Sequence, residues 1–236
     1  MQSNMQRNNG ICSLDGVITG VFIKELNNRF RGLVYINGAQ EICYIPSSCK
    51  LSKLVSLSNK QVLLQPVELS GTGVKYSLLA VRYRNTYIIL NSGLANRIVE
   101  QQLSRRFFCS LGPREKVRRE VLVDGYKCDL FIEDTDTVVE VKSIISSNKI
   151  AEAFVVRSDR AVIQLKQLLG RLDSKSAAYI FVVMSPTVQE IHINRDSEAG
   201  NILYSCYRKG LKLLGVSAGL SDQGFALKKT IPISFT

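Results

Sequence analysis

The chain of 236 residues contains no tryptophan and a single histidine, His192. Ser–His and Cys–His nucleophile schemes therefore have one candidate base at most. That residue stands in Ile191-His192-Ile193, the alternation of a strand, where a structural role is the better reading. Six cysteines (Cys12, Cys43, Cys49, Cys109, Cys128, Cys206) form no Cys-x-x-Cys pair. A zinc centre wants clustered Cys and His ligands, so these scattered thiols read as small buried hydrophobes kept reduced. No apolar run approaches the roughly 18–20 residues needed to span a bilayer. The N-terminal MQSNMQRNNG has no apolar stretch of the secretory type. A cytoplasmic protein without membrane contact is expected, and hydrolytic chemistry in it has to run on carboxylates and a metal ion.

Acids are also in short supply: 20 Asp and Glu stand against 31 Lys and Arg, a net charge of +11. Such a surplus suits a polyanionic partner, because neutralising phosphates releases condensed counterions. The charges are unevenly spread. Residues 97–119 hold seven basic residues (Arg97, Arg105, Arg106, Arg114, Lys116, Arg118, Arg119) against two acids. Residues 129–140 then hold five acids: Asp129, Glu133, Asp134, Asp136 and Glu140. An acidic spot beside a basic band fits a metal site next to a phosphate track.

The first 92 residues read as short strands with turns between them, over 16–24, 29–36, 42–45, 62–67, 74–82 and 86–90. Asn37-Gly38 is a hairpin turn signal. A short helix is expected over 47–57, capped by Ser47 or Ser48. This pattern is compatible with a small barrel of the oligonucleotide-binding (OB) type, although periodicity alone does not separate it from other small β folds. From Ser92 the pattern changes. Leu94, Ile98, Leu103 and Phe107 are spaced as one helical face. Strands follow over 120–123, 127–132 and 137–143, then a helix over 159–169 stopping at Gly170. A strand over 179–184, a helix over 199–214 ending at Gly215, and a last strand within 224–235 complete a mixed α/β region. Two domains are expected, 1–92 and 93–236, with the boundary near 91–93.

The chemistry concentrates between Lys127 and Lys142. A hairpin symmetric about Asp134-Thr135 sets Asp129 opposite Glu140 and Lys127 opposite Lys142. Strand alternation then puts Glu140 and Lys142 on one face, while Val139 and Val141 join Cys128, Leu130 and Ile132 in the core. Directly opposed residues have Cβ atoms about 4.5–5.5 Å apart. Two carboxylates so placed repel each other and become favourable when a divalent cation sits between them; Mg²⁺ (or Mn²⁺) takes one or two carboxylates and keeps several waters. Such an ion polarises a scissile phosphate and lowers the pKa of an attacking water. Lys142 is placed to orient that water or to stabilise charge on the transition state. The alternative reading of the same residues is a polar hairpin with its charges on a wet face.

Asp129 followed by Glu140-Val141-Lys142 resembles the PD-(D/E)xK signature of restriction-endonuclease-like nucleases. More closely, the chain is similar to the sugar fermentation stimulation protein A (SfsA) family, from roughly Gly16 to Phe235. The pieces that carry the resemblance are FIKELNNRFRGLVYINGAQEICYIPSSCKL, LLAVRYRNTYIILNSGLANRIVEQQL, REVLVDGYKCDLFI, VVEVKS and LGVSAGLSDQGFALKKTIPISF. The resemblance implies an α+β protein of two domains, an N-terminal OB-like β-barrel and a C-terminal restriction-endonuclease-like mixed α/β domain, with DNA or RNA binding and nuclease activity. It implies Asp129 and Glu140 as metal-binding acids, Lys142 as the motif lysine, and Glu120 as a further contributor to the metal site. Three departures bear on substrate contacts. Pro46-Ser47-Ser48-Cys49-Lys50 replaces the family's Pro-Asn-Thr-Gly-Arg. Lys127 stands where the family has arginine, and Phe154-Val155-Val156-Arg157 replaces Phe-Pro-Asp-Ala. Lysine keeps the charge and loses the bidentate fork.

A Mg²⁺-dependent phosphodiesterase is the expectation, with a non-catalytic DNA-binding regulatory protein on the same fold as the alternative; the residues imply no particular oligomeric state. Nucleic acid is the expected partner. Its backbone would meet Arg29, Arg31, Lys50, Arg82, Arg84, Arg105, Arg106, Arg114, Arg118, Arg119 and Lys127, and Phe30, Tyr83 and Tyr87 are candidates to stack on bases.

Overall fold

A computed structural model describes residues 14–47, 50–69, 73–155 and 158–236. Cys12, Cys49, the candidate cap Ser48, and Val156 and Arg157 lie outside the described residues.

Strands β1 (Ile18–Glu25), β2 (Arg31–Ile36) and β3 (Ala39–Tyr44) form an antiparallel meander. Its second turn is the expected one. Asn37 and Gly38 have φ of 48° and 87°, the left-handed pair that matches the twist of the flanking strands. Strands β4 (Gln61–Leu69) and β5 (Val74–Tyr83) follow; β1 pairs with β4, and β3 pairs with β5 in parallel. These pairings close five strands into an OB-like barrel, with β6 (Thr86–Ile89) added beside β5. The helix expected over 47–57 is a single 3-10 turn at Leu51–Lys53. The Glu25 carboxylate accepts from the Leu51 and Ser52 N–H groups at 2.7 and 3.2 Å. A distant strand thus satisfies those donors, and the segment follows the barrel wall, burying Leu51, Val55 and Leu57.

Beyond β6 come α1 (Leu94–Gln102), β7 (Val117–Val123), β8 (Tyr126–Ile132), β9 (Thr137–Ile144) and β10 (Ile150–Glu152). Then follow α2 (Asp159–Arg171), β11 (Ser176–Val183), β12 (Glu190–Ile193), α3 (Glu198–Arg208), β13 (Lys212–Ser221), β14 (Gly224–Thr230) and β15 (Ile233–Phe235). The main sheet has the order β14-β13-β11-β9-β8-β7, with β9, β11 and β13 parallel. β11 is buried along nearly its whole length, as expected for a central strand covered on both faces. β10, β12 and β15 form a small parallel sheet.

Three expectations are corrected here. The helix over 199–214 ends at Arg208: Gly210 adopts φ of 103°, and the apolar residues after it become β13 beside β11. Gly215 lies inside that strand, where a Cβ would meet the Ile231 carbonyl at 2.5 Å, so it marks a close backbone approach rather than a helix stop. The helix over 159–169 runs through Gly170 to Arg171. The last strand splits into β14 and β15 around Pro232, which has no N–H to give to a ladder.

One apolar cluster runs from the barrel through β6 and α1 into the main sheet, joining Val34, Ile88, Ile98, Leu130, Val139, Ile180 and Val216. The Ile89 N–H donates to the Met184 carbonyl at 2.8 Å, tying β6 to the end of β11. Among the described residues no helix is long and apolar enough to cross a membrane.

Two glycines should respond to alanine with opposite signs in urea unfolding. Gly200→Ala drives a Cβ into the Asn194 carbonyl and should destabilise by about 1–3 kcal/mol or more. Gly170→Ala adds its methyl to open space inside α2 and should stabilise by about 0.5–1 kcal/mol.

Candidate active site

The ladder between β8 and β9 runs Ile132↔Thr137, Phe131↔Val138 and Leu130↔Val139. This is the register expected from the sequence, and its next step sets Asp129 against Glu140. At that step the ladder opens. Asp129 Oδ2 accepts from the Val141 N–H at 2.8 Å, so a carboxylate takes a backbone donor of the neighbouring strand. Asp129 Oδ1 accepts from Asn96 Nδ2 of α1 at 2.9 Å. Both oxygens are thereby fixed in direction.

Glu140 is 6% exposed, and its Oε1 accepts from the Tyr126 hydroxyl at 2.5 Å. Burial first, and then the charge of Asp129 within hydrogen-bonding reach, push its carboxyl up to about 8. Burial and the Glu140 charge push the Tyr126 and Tyr179 hydroxyls well above the ordinary tyrosine range, so Tyr126 stays a proton donor. Lys142 is half-buried on the same face of β9. Burial and the nearby Arg160 guanidinium press its ammonium below the usual lysine range, while Asp129 and Glu140 act in the opposite sense. Asp129, Glu140 and Lys142 line one pocket of about 420 Å³, together with Ser47 and Leu54 from the barrel side and Ser143, Arg160 and Gln164.

Cys128 does not join Leu130 and Ile132. It packs with Tyr126 in a second cluster on the far face of the sheet, while Leu130 and Ile132 belong to the cluster shared with the barrel. The strands change faces at a local distortion: Glu120 has a left-handed backbone (φ 49°) and is skipped between Arg119↔Leu130 and Val121↔Cys128. The Glu120 carboxylate lies near Arg119 (3.4 Å) and Lys127 (3.9 Å), more than half exposed. Among the described residues no group of three or more His, Cys, Asp or Glu side chains is placed to hold a metal; the Glu120 carboxylate is turned to Arg119 and Lys127.

The basic residues are dispersed, and none of the eleven singled out from the sequence lines this pocket. Arg114 is a brace rather than a phosphate contact. Its guanidinium donates to four backbone carbonyls, those of Leu103, Ser104, Arg105 and Gly112. Arg118 pairs with Glu133 at 2.7 Å, Arg119 with Glu100 at 3.3 Å, and Lys127 faces Glu120 rather than Lys142. Arg82 donates to Gln61 at 3.0 Å. Arg29 lies over Phe30 at 4.6 Å and Arg84 over Tyr83 at 5.4 Å. Arg31 is half-buried in β2, while Lys50, Arg105 and Arg106 are exposed. Phe30 stacks on Tyr44 (6.4 Å, 22°), and Tyr83 and Tyr87 pack against the barrel core.

His192 sits in the small sheet, its Nε2 3.1 Å from Glu190 Oε1, away from the pocket lining. Cys43, Cys128 and Cys206 are buried and free, with Cys109 exposed. Burial raises Cys43 to about 12 and Cys128 and Cys206 to about 11, which leaves those three unreactive. Sequence reasoning missed Asn96, Tyr126 and Arg160. Only the first two left a trace, Asn96 as a poor helix former in the first turn of α1 and Tyr126 as an aromatic three residues before Asp129.

A family model described as "Sugar fermentation stimulation protein RE domain" matches residues 93–224. A sugar fermentation stimulation protein homolog from Aquifex aeolicus is 26% identical over 88% of this chain and 94% of its own length. One from Acetivibrio thermocellus is 26% identical over 84% and 87%. A solved structure of Pyrococcus furiosus SfsA in complex with Ca²⁺ superposes with a TM-score of 0.79 at 18% identity, covering 94% of this chain and 97% of that one.

A Glu140 carboxyl raised from 4.5 to about 8 means that the folded state binds more protons than the unfolded state between those values. Its contribution to stability is present below about pH 4.5 and is lost as pH rises through about 8. In EDTA, Glu140→Gln should therefore melt above the parent at pH 8, with the gap closing towards pH 4. A gap independent of pH contradicts this.

Proposed function

Because this chain belongs to the sugar fermentation stimulation protein family, we propose that it is a divalent-metal-dependent phosphodiesterase acting on DNA or RNA. The observation that carries this reading is the Asp129–Glu140 pair: two carboxyl groups in register on adjacent strands, one pinned and one buried, with Lys142 on the same face. The donor set fits Mg²⁺ or Mn²⁺. Its ligands are hard oxygens, the Tyr126 hydroxyl engages only Oε1 of Glu140, and two carboxylates with open solvent beside them suit an ion that keeps several waters. The P. furiosus relative, solved with Ca²⁺, adds support for a divalent, oxygen-seeking ion. When bound, the ion supplies positive charge against the acid pair and the phosphate.

The chain's own residues do the remaining work. Asn96 and the Val141 N–H fix the direction of Asp129, and Tyr126 fixes that of Glu140. Lys142 offers an ammonium to a non-bridging phosphate oxygen. Its depressed pKa makes proton exchange near neutral pH easier than for an ordinary lysine. The +11 surface draws the polyanion towards the pocket.

Purified protein incubated with single- and double-stranded DNA and RNA should give products with Mg²⁺ or Mn²⁺ and none in EDTA. Asp129→Asn should abolish cleavage, and Lys142→Met should slow it by about 10²–10³-fold, both with nucleic-acid binding retained. Undiminished cleavage by Asp129→Asn refutes the assignment. Salt-sensitive binding without metal-dependent products identifies the non-catalytic alternative.

A further inference from the structure

Two cations line the pocket beside its acids Asp129, Glu140 and Glu152. Arg160, exposed in the first turn of α2, and Lys142 both line it. Neither makes an ion pair or hydrogen bond among the described residues, and they lie close enough for one charge to act on the other. Both therefore keep their donors open to a phosphate, and charge-assisted hydrogen bonds from such groups are the strong kind.

The same pocket has an apolar end. Phe154, Val155 and Phe181 line it, and Phe154, Val155, Ser158 and Ala161 also line an adjoining cavity of about 330 Å³ reaching Ser197 and Ala199 at the start of α3. Phe154 holds a left-handed backbone (φ 61°) with its ring edge-on to Phe181 at 5.9 Å. Val155 is 63% exposed. A sparsely populated backbone conformation beside an exposed branched side chain is the kind of strain that collects at ligand sites. Carboxylates, two free cations and an apolar recess in one concavity match the parts of one nucleotide, a phosphodiester and a base. A base inside a duplex is stacked and paired, and has to leave the helix to enter such a recess.

We propose that this pocket takes one unpaired nucleotide of a single strand, with its phosphate on Arg160 and Lys142 and its base in the recess walled by Phe154 and Val155. The inference rests on reading the pocket as a phosphodiesterase site and names its substrate class. Arg160 is then a substrate-binding residue whose planar fork grips a phosphate.

Fluorescence anisotropy with a labelled single-stranded oligonucleotide and the matching duplex, in EDTA and again in Ca²⁺, reads the inference without cleavage. The single strand should bind at least about tenfold more tightly than the duplex. Arg160→Gln should weaken single-strand binding by about tenfold or more, and Arg160→Lys should restore part of it. Val155→Asp, a change at an exposed position, should erase the preference with the melting temperature unchanged. An abasic strand should bind less tightly than an intact one, since one stacked base is worth about 10-fold. Equal binding of duplex and single strand in both conditions, or wild-type binding by both Arg160→Gln and Val155→Asp, overturns the inference. A strand preference that follows these variants in a protein that never cleaves leaves the inference standing and removes the phosphodiesterase reading alone.

Discussion

Two carboxyl groups of like charge, brought together in a place where at least one of them is out of water, are the constraint on which the site depends. Glu140 is buried against Tyr126 and Tyr179, and Asp129 lies within hydrogen-bonding reach of it. Left to themselves, such groups hold a proton near neutral pH, which is why the Glu140 carboxyl stands at about 8. A cation with hard-oxygen preference relieves the same repulsion. The pair is therefore costly without an ion and favourable with one, and that difference is what makes a binding site out of two acids.

The fold holds the pair in place from several directions. Asp129 leaves the β8–β9 ladder at its last regular step and takes the Val141 N–H into its own carboxylate. Asn96 reaches it from α1, the helix that follows directly on β6. That helix is buried in the apolar cluster shared by the barrel and the main sheet. On the other side, Lys142 faces Arg160 of α2 across the pocket, which makes the cation pair a product of the β9–α2–β11 crossover.

Much of this was legible in the sequence where period and turn chemistry act locally. Asn37-Gly38 set one hairpin, and the Glu133–Thr135 turn set the register that puts Asp129 opposite Glu140. Residues 209–214 read as helix from sequence because Leu211, Leu213 and Leu214 suit either element; β11 as a neighbour decides for strand, and no local pattern encodes that neighbour. The place of Cys128 was misread for a related reason: the face change at Glu120 and Asp129 is a break in alternation that alternation itself cannot announce. The basic band illustrates the limit of counting charge. Arg114 is folded onto four carbonyls, and Arg160, with no distinguishing neighbours in sequence, reaches the pocket by tertiary placement alone.

Calorimetric titration of Mn²⁺ into the protein at pH 7, in two buffers of different ionisation enthalpy, tests directly whether the acid pair is built to be relieved by a cation. Binding should release a proton from the wild type and none from Glu140→Gln, because the carboxyl that surrenders it is the one burial has raised. Binding of Mn²⁺ with no proton released, or no binding at all, contradicts the account.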